Sequence, residues 1–222
     1  MPEAGEAWVA GTWIENEKIR PTGGSLTIQS KSMLLLDTLQ NAISMLSKTP
    51  LNYWVEFAVD IPFGAVLIFA GLRSNELGPI AVVLTILLGL FLFSIIEYSF
   101  HRWLFHGSVQ IMSQGHRAHH ENPLGYDSLP FFLPALILLA LTGVLVLLIS
   151  AKYAFLLTGI ITLSYVIYGL SHFTIHHHLF QRVLTQNWAA NHHIHHYHAD
   201  TNFGVTTPLW DIVFGTRYRR AS

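Results

Sequence analysis

Four apolar segments dominate the pattern of hydrophobic and polar positions along the chain. They are residues 53–72, 79–98, 131–150 and 153–170. Each is close to the length at which an α-helix crosses a hydrocarbon layer of about 30 Å, at about 1.5 Å per residue. The first segment is the most interrupted, because Glu56, Asp60 and Pro62 lie within it. The pattern predicts an all-α integral membrane protein with four transmembrane helices.

Short connections divide the four segments into two pairs. Residues 73–78 join the first pair, and Ala151-Lys152 joins the second. Helices with such short connections pack antiparallel, so we predict two helical hairpins. Both termini then lie on one side of the membrane, together with a cap formed by residues 99–130 and 171–222. Ten of the twelve Lys and Arg residues lie on that side, which predicts that it is cytoplasmic.

The first fifty residues follow a different pattern. Residues 1–30 are polar and broken by Gly and Thr, which predicts a loose, peripheral arm. Residues 32–48 carry leucine and isoleucine at helical spacing, which predicts an amphipathic helix. Such a helix either lies on the membrane interface or packs against the protein. We therefore divide the chain into an N-terminal region, residues 1–50, and a membrane domain, residues 51–222.

Composition supports the membrane assignment and excludes several functions. The chain is 51% hydrophobic and 11% charged, whereas soluble domains carry about 25% charged residues. The formal net charge of -1 gives no electrostatic basis for binding nucleic acid. The absence of cysteine excludes disulfides, thiolate metal sites and thiol catalysis. Histidine is the unusual residue, because all fourteen lie in two stretches, residues 97–120 and 171–198.

The histidines form four motifs of repeated spacing, and each stretch begins at the end of an apolar segment. The motifs are HX4H at His101 and His106, HX2HH at His116, His119 and His120, HX3HH at His172, His176 and His177, and HX2HH at His192, His195 and His196. Residues three or four apart share a helix face, so the last three motifs each direct several imidazoles to one point. Residues five apart are about 140° apart on an α-helix. We therefore expect the first motif to leave the helical register, near Gly107.

Imidazole is the commonest metal ligand in proteins and suits iron, zinc, copper and nickel. Ten nitrogens are too many for one ion, but they provide five for each of two ions. Four clusters of repeated spacing are difficult to explain as unrelated packed histidines. We therefore predict a dinuclear metal site. Its ligands are His101, His106, His116, His119, His120, His172, His176, His192, His195 and His196.

Other polar residues close to the motifs are candidates for supporting positions. His177, His193 and His198 are either additional ligands or surface groups, and the same holds for His178. A ligating imidazole usually donates its outer N–H to a carboxylate or carbonyl. The acids Glu97, Asp127 and Asp200 are candidates for that role, with a helix cap or a solvated loop acid as the alternative.

At these motifs, and in the tail Phe203–Thr216, the sequence resembles the membrane fatty acid hydroxylase/sterol desaturase superfamily. The likeness covers residues 90–216, and the HX4H and HX3H spacings resemble the fatty acid 2-hydroxylase branch. It implies a catalytic domain with four transmembrane helices under a cytosolic, helical, histidine-rich cap. It also implies two iron ions, with zinc possible in purified protein, and O2-dependent hydroxylation of a lipid C–H bond.

The resemblance also implies an external electron donor. Residues 1–90 contain no histidine for the haem of a fused cytochrome b5 domain. We therefore expect electrons from a separate protein such as a cytochrome b5, a ferredoxin or a reductase. The lipid substrate is expected to enter from the bilayer into an elongated apolar slot.

Two other functions stay open at this point. One is a sterol or carotenoid hydroxylase or desaturase of the same superfamily. The other is a histidine-rich membrane protein that binds or transports metal. A carrier needs polar residues along its membrane path, and the last three apolar segments have almost none before Glu97. The preferred hypothesis is therefore a di-iron hydroxylase of a fatty acyl chain or acyl lipid.

Overall fold

The computed structural model describes residues 7–9, 12–14, 25–73, 77–126 and 128–220. The described chain is almost entirely helical, as predicted. Its elements are β1 (Ala7–Val9), β2 (Thr12–Ile14), α1 (Ser25–Ser47), α2 (Pro50–Leu72), α3 (Pro79–Ser99), α4 (Gln110–Glu121), α5 (Leu133–Leu148), α6 (Ala151–His177), α7 (Val183–Tyr197) and α8 (Leu209–Val213). A π-helical turn, Phe100–Phe105, continues α3.

The contacts divide the chain into two units, residues 1–42 and residues 43–222. In the first unit, β1 and β2 pair antiparallel, with Trp8 opposite Trp13. These six residues form a short strand pair, and the loose, peripheral arm over residues 1–30 stays a prediction. Aromatic and β-branched residues favour the extended backbone, and they make up most of both strands. Helix α1 covers nearly all of the residues 32–48 predicted to form an amphipathic helix. Its amphipathic character and the division of the chain at residue 50 stay predictions.

Three of the described helices are long and apolar enough to cross a membrane. They are α2, α3 together with its π-helical turn (Pro79–Phe105), and α6. The apolar helix α5 has only 16 residues, or about 24 Å at 1.5 Å per residue. The chain is thus a membrane protein by the length and composition of its helices. The fourth crossing and the two hairpins stay predictions.

Helix α6 is the centre of the second unit. α2 makes its most extensive contacts with α6, and α3 and α5 also pack against it. A core of Phe93, Leu138, Leu157 and Ile161 joins α3, α5 and α6. Of the 18-residue apolar stretch of α6, 50% is buried inside the protein. The corresponding share for α3 with its π-helical turn is 17%. α6 is therefore shielded by protein, whereas α3 exposes most of its apolar surface.

Glycines allow α2 and α6 to approach closely. A Cβ atom at Gly71 would lie 2.8 Å from the backbone nitrogen of Leu156, and one at Gly159 would lie 2.9 Å from that of Ile68. Small residues permit such close contact between membrane helices. The Tyr53 hydroxyl, near the start of α2, donates to the carbonyl of Gly169, near the end of α6, at 3.2 Å. The two helices therefore run antiparallel.

The two acids that interrupt the first apolar segment point into the protein. Glu56 and Asp60 are 3% and 0% exposed, and the Tyr165 hydroxyl of α6 donates to Glu56 Oε1 at 2.5 Å. A carboxyl group facing lipid is costly, so acids within membrane helices turn towards the protein interior. The interruption seen in the sequence is thus accommodated between α2 and α6.

The close α2–α6 contact gives a test of the fold. We expect Gly159→Val to lower the free energy of unfolding by about 1–3 kcal/mol, because the new side chain overpacks against the α2 backbone. Thermal unfolding of the purified protein in detergent measures the change. Gly143→Val is the matched control, since a Cβ atom at Gly143 meets nothing within 4 Å. Equal stability of the two variants would contradict this description.

Candidate metal centre

The π-helical turn at the end of α3 brings the first two histidines together. The backbone N–H of His106 donates to the carbonyl of His101 at 3.1 Å, and this i→i+5 bond is that of a π-helix. The sequence predicts the change of helical register near Gly107. In the structure it occurs earlier, within Phe100–Phe105. Gly107 is still required, because a Cβ atom there would lie 1.8 Å from the Trp103 carbonyl oxygen.

The other eight predicted ligands come from three helices. α4 carries three of them, the last two turns of α6 carry two, and the second half of α7 carries three. In chain order they are His116, His119, His120, His172, His176, His192, His195 and His196. The C-terminal ends of α3 and α6 thus meet at the same place, where α4 and α7 cover them.

The ten imidazoles form two groups of five. Group A contains His101, His106, His116, His120 and His195, and group B contains His119, His172, His176, His192 and His196. In each group, one ring nitrogen from every member lies within 4.8 Å of the others. Each adjacent pair, His119-His120 and His195-His196, contributes one ring to each group. The members are the ten residues of the predicted ligand set, and their role as ligands stays a proposal.

The nitrogens of group A converge on one ring. His116 Nε2 lies 3.0 Å from His101 Nε2, 2.9 Å from His106 Nε2 and 3.1 Å from His120 Nε2. His106 Nε2 also lies 3.0 Å from His195 Nε2. A neutral imidazole has a single N–H, so one proton cannot satisfy three neighbours at once. A cation shared by these nitrogens can, and this donor set therefore fits a metal ion.

Group B has the same arrangement around another ring. His192 Nε2 lies 3.0 Å from His176 Nε2 and 3.2 Å from His196 Nε2. His119 Nε2 is buried without a hydrogen-bond partner. A buried polar atom without a partner is destabilising. Group B therefore also fits a metal ion.

Burial keeps these imidazoles neutral. Loss of solvent, with a smaller contribution from neighbouring imidazoles, lowers the pKa of His106 to about 4 and the pKa of His119 to about 3. Burial also lowers the pKa of His195 to about 3 and that of His196 to about 2. At neutral pH these rings are in the unprotonated form that binds metal.

Backbone carbonyls hold the outer nitrogens of two rings in group A. His101 Nδ1 donates to the Phe203 carbonyl at 2.5 Å, and His195 Nδ1 donates to the Thr201 carbonyl at 2.7 Å. With the proton on Nδ1, the Nε2 atom of each ring is free to bind a metal ion. The sequence predicts carboxylates in this role and misses both carbonyls.

The three candidate acids differ from their predicted role or lie outside the described residues. Among the described residues, Glu97 has no hydrogen bond to an imidazole; it accepts hydrogen bonds from the backbone N–H groups of Val205 and Thr206 at 2.7 and 2.8 Å. Asp200 is exposed and lines a cavity. Asp127 lies outside the described residues. The carbonyls of the tail therefore provide the support that the sequence assigns to Glu97.

The four remaining histidines lie outside both groups. They are His177, His178, His193 and His198, and all are exposed. The nitrogens of His177 lie 3.0 Å from the Phe173 carbonyl and 3.3 Å from the Leu124 carbonyl. The His198 ring stacks on Tyr218 at 4.6 Å between centroids. The structure thus separates these histidines from the ten clustered ones.

A cavity of about 460 Å³ opens beside group A. It is lined by Arg102, Trp103, His106, Ala199, Asp200 and Phe203. A second cavity of about 10 Å³ lies beside group B and is lined in part by Tyr53, His119 and Phe173. Neither cavity is the elongated apolar slot expected from the sequence. The larger one is open to the surface and reaches His106 of group A.

A helical membrane protein with ten clustered histidines is the class that the fold and the site define. Comparison with known families narrows this class. The profile of the fatty acid hydroxylase family matches residues 86–216, more than half of the chain. The chain therefore belongs to the fatty acid hydroxylase family.

The relatives are fatty acid 2-hydroxylases, which confirms the predicted branch. The chain is 29% identical over 177 residues to dihydroceramide fatty acyl 2-hydroxylase FAH1 of Arabidopsis thaliana, covering 75% of each protein. It is 32% identical over 159 residues to FAH2 of the same plant, covering 66% of this chain and 63% of FAH2. It is 31% identical over 144 residues to the fatty acid 2-hydroxylase of Macaca fascicularis, covering 59% of this chain and 38% of that protein.

A solved structure has the same fold. It is that of full-length Scs7p, in which only the hydroxylase domain is visible. The two structures superpose with a TM-score of 0.68 at 24% identity, over 80% of this chain and 70% of that chain. The helical arrangement around the histidines is therefore a shared fold.

The two groups give a test by metal content. We expect purified wild-type chain, reconstituted with iron or zinc, to hold two ions, and His116→Ala to hold about one, because His116 Nε2 is the atom on which group A converges. Metal analysis by mass spectrometry measures the ratio. The control is His198→Ala, which changes an exposed ring outside both groups and should keep both ions. Two ions in His116→Ala would contradict the grouping.

Proposed function

We propose that the protein is an O2-dependent lipid hydroxylase in which groups A and B each hold one iron ion. The observation that carries this proposal is the pair of adjacent five-histidine groups at the ends of membrane helices. Membership of the fatty acid hydroxylase family supports it. Zinc has the same preference for imidazole and can occupy these groups in purified protein.

Oxidation of an unactivated C–H bond is the chemistry that two bound irons supply with O2, since no amino-acid side chain performs it. The residues of the chain hold the ions, orient the rings and exclude water. His101, His192 and His195 are almost fully buried. Burial also keeps the ring nitrogens unprotonated. No nucleophilic side chain is needed for this role.

The substrate is a fatty acyl chain or an acyl lipid that enters from the bilayer. Large apolar side chains on α2, α3 and α5 are exposed, among them Phe69, Leu84 and Leu136, so these helices present an apolar surface to lipid. The relatives in Arabidopsis thaliana are named for dihydroceramide fatty acyl substrates. These names favour an acyl substrate over a sterol or a carotenoid, and an enzyme over a metal carrier.

The positions of the histidines support four membrane crossings. α3 and α6 both end at the metal centre, so the two helices run in the same direction. The chain must therefore return across the bundle between them, and α5 is the helix that does so. The excess of Lys and Arg on the histidine side supports a cytoplasmic cap. Electrons then come from a separate cytoplasmic donor.

Loss of either group should abolish hydroxylation. We expect His119→Ala and His195→Ala to give no measurable product, because each removes a nitrogen from one group. The assay is extraction of lipids from membranes supplied with O2 and a reductant, with mass spectrometry for the addition of one oxygen atom. His193→Ala, an exposed ring outside both groups, should retain activity. Metal transport without O2-dependent lipid oxidation would contradict the proposal.

A further inference from the structure

A short segment of the tail orients two imidazoles of group A. We call Thr201–Thr206 the carbonyl loop, because its Thr201 and Phe203 carbonyls accept the Nδ1–H bonds of His195 and His101. These hydrogen bonds hold the Nε2 atoms of both rings towards the centre of the group. The position of the loop therefore sets the geometry of two of its five nitrogens.

Asp211 of α8 holds the first half of the carbonyl loop. Its Oδ1 accepts the backbone N–H of Phe203 at 2.8 Å, and its Oδ2 accepts that of Gly204 at 2.9 Å. The Thr216 hydroxyl donates to the same Oδ1 at 2.7 Å. Both carboxylate oxygens thus accept hydrogen bonds. Oδ1 holds Phe203, the residue whose carbonyl accepts the hydrogen bond from His101.

Glu97 of α3 holds the second half of the loop. Its Oε1 accepts the backbone N–H groups of Val205 and Thr206, and the Thr206 hydroxyl donates to its Oε2. Glu97 is 7% exposed and Asp211 is fully buried. Burying two carboxylates is costly unless they are hydrogen-bonded, and here the loop amides provide most of their partners.

His192, a buried ring of group B, lacks the support that His101 and His195 have in group A. The Nε2 atom of His192 faces two other imidazoles, but its Nδ1 atom is buried without a hydrogen-bond partner. Outer hydrogen bonds orient a ligating histidine, and losing them weakens metal binding by about 10–100-fold. Group A therefore has outer hydrogen bonds that His192 of group B lacks, and such bonds strengthen metal binding.

We propose that Asp211 and Glu97 are positioning residues that act through the carbonyl loop and make group A the tighter of the two metal sites. The inference rests on the two-metal centre of the proposed function. It assigns no contact between either acid and the metal. It predicts that group A fills first and releases its ion last.

Asp211→Asn and Glu97→Gln each remove one negative charge, but they differ in the hydrogen bonds that remain. Comparing them therefore distinguishes the loss of a hydrogen bond from the loss of charge. In Asp211→Asn the new NH2 group must face a backbone N–H, of either Phe203 or Gly204, so one bond is lost. In Glu97→Gln the amide oxygen can still accept from Val205 and Thr206, while the NH2 group donates to the Thr206 hydroxyl. Asp200→Asn is the control, because it removes a negative charge from an exposed side chain next to the carbonyl loop.

The experiment is release of zinc from the purified, reconstituted full chain to an excess of a chromophoric chelator. The wild type should release its ions in two phases, one ion in each. Asp211→Asn should accelerate the slow phase on the order of 10–100-fold and leave the fast phase unchanged. Asp200→Asn should keep both phases. Glu97→Ala, which removes the hydrogen bonds to Val205 and Thr206, should accelerate the slow phase more than Glu97→Gln, which can keep them; equal slow phases in these two variants would remove Glu97 from the inference. A single phase in the wild type, or equal acceleration of both phases in Asp211→Asn, would overturn the inference.

A milder variant keeps the test decisive where Asp211→Asn does not fold. Thr216→Val removes one hydrogen bond to Asp211 and should accelerate the slow phase in the same direction by a smaller factor; an unchanged slow phase would count against the inference. Failure of the proposed function looks different. A wild-type chain that binds fewer than two ions contradicts the dinuclear centre, and the response of its remaining ion to Asp211→Asn still tests the loop.

Discussion

Ten buried or half-buried imidazoles whose nitrogens face one another form the constraint on which the rest of the structure depends. In group A, three Nε2 atoms lie within 3.1 Å of His116 Nε2, although a neutral ring has only one N–H to share. Protonating His116 would supply a proton to only one of these contacts, and burial opposes the charge of the protonated ring. A bound cation resolves it without protonation. The local structure of the cap follows from bringing these nitrogens to two points.

The membrane helices determine where several of these imidazoles lie. α6 packs against the other long helices and ends in two rings of group B, while the π-helical turn of α3 places two rings in group A. Glycines at the α2–α6 contact allow close approach over much of its length. The packing of the apolar segments therefore fixes where the ends of α3 and α6 meet.

Histidine spacing in the sequence identifies the ten clustered rings because it reports local helix geometry. The i, i+4 pairs His116–His120 and His192–His196 lie on one helix face, as their spacing requires. The same reasoning misplaces the break in the first motif. An α-helical wheel cannot represent a π-helical turn, whose i→i+5 bond puts His101 beside His106.

Contacts between distant parts of the chain are not visible in such patterns. The Phe203 carbonyl meets His101 across 102 residues, and a backbone carbonyl leaves no mark on the residue type. Glu97 is correctly noticed as an acid near the motifs, but its partners are backbone amides of the tail. The short length of α5 is also missed, because apolar composition continues beyond the residues that remain helical.

The most direct test of the account is the location of bound metal. Anomalous diffraction at the iron edge, on crystals of the iron-loaded protein, should show two peaks of similar height. One peak should lie among the five nitrogens of group A and the other among those of group B. A single peak, or peaks outside both groups, would contradict the central claim that ten histidines form two metal sites.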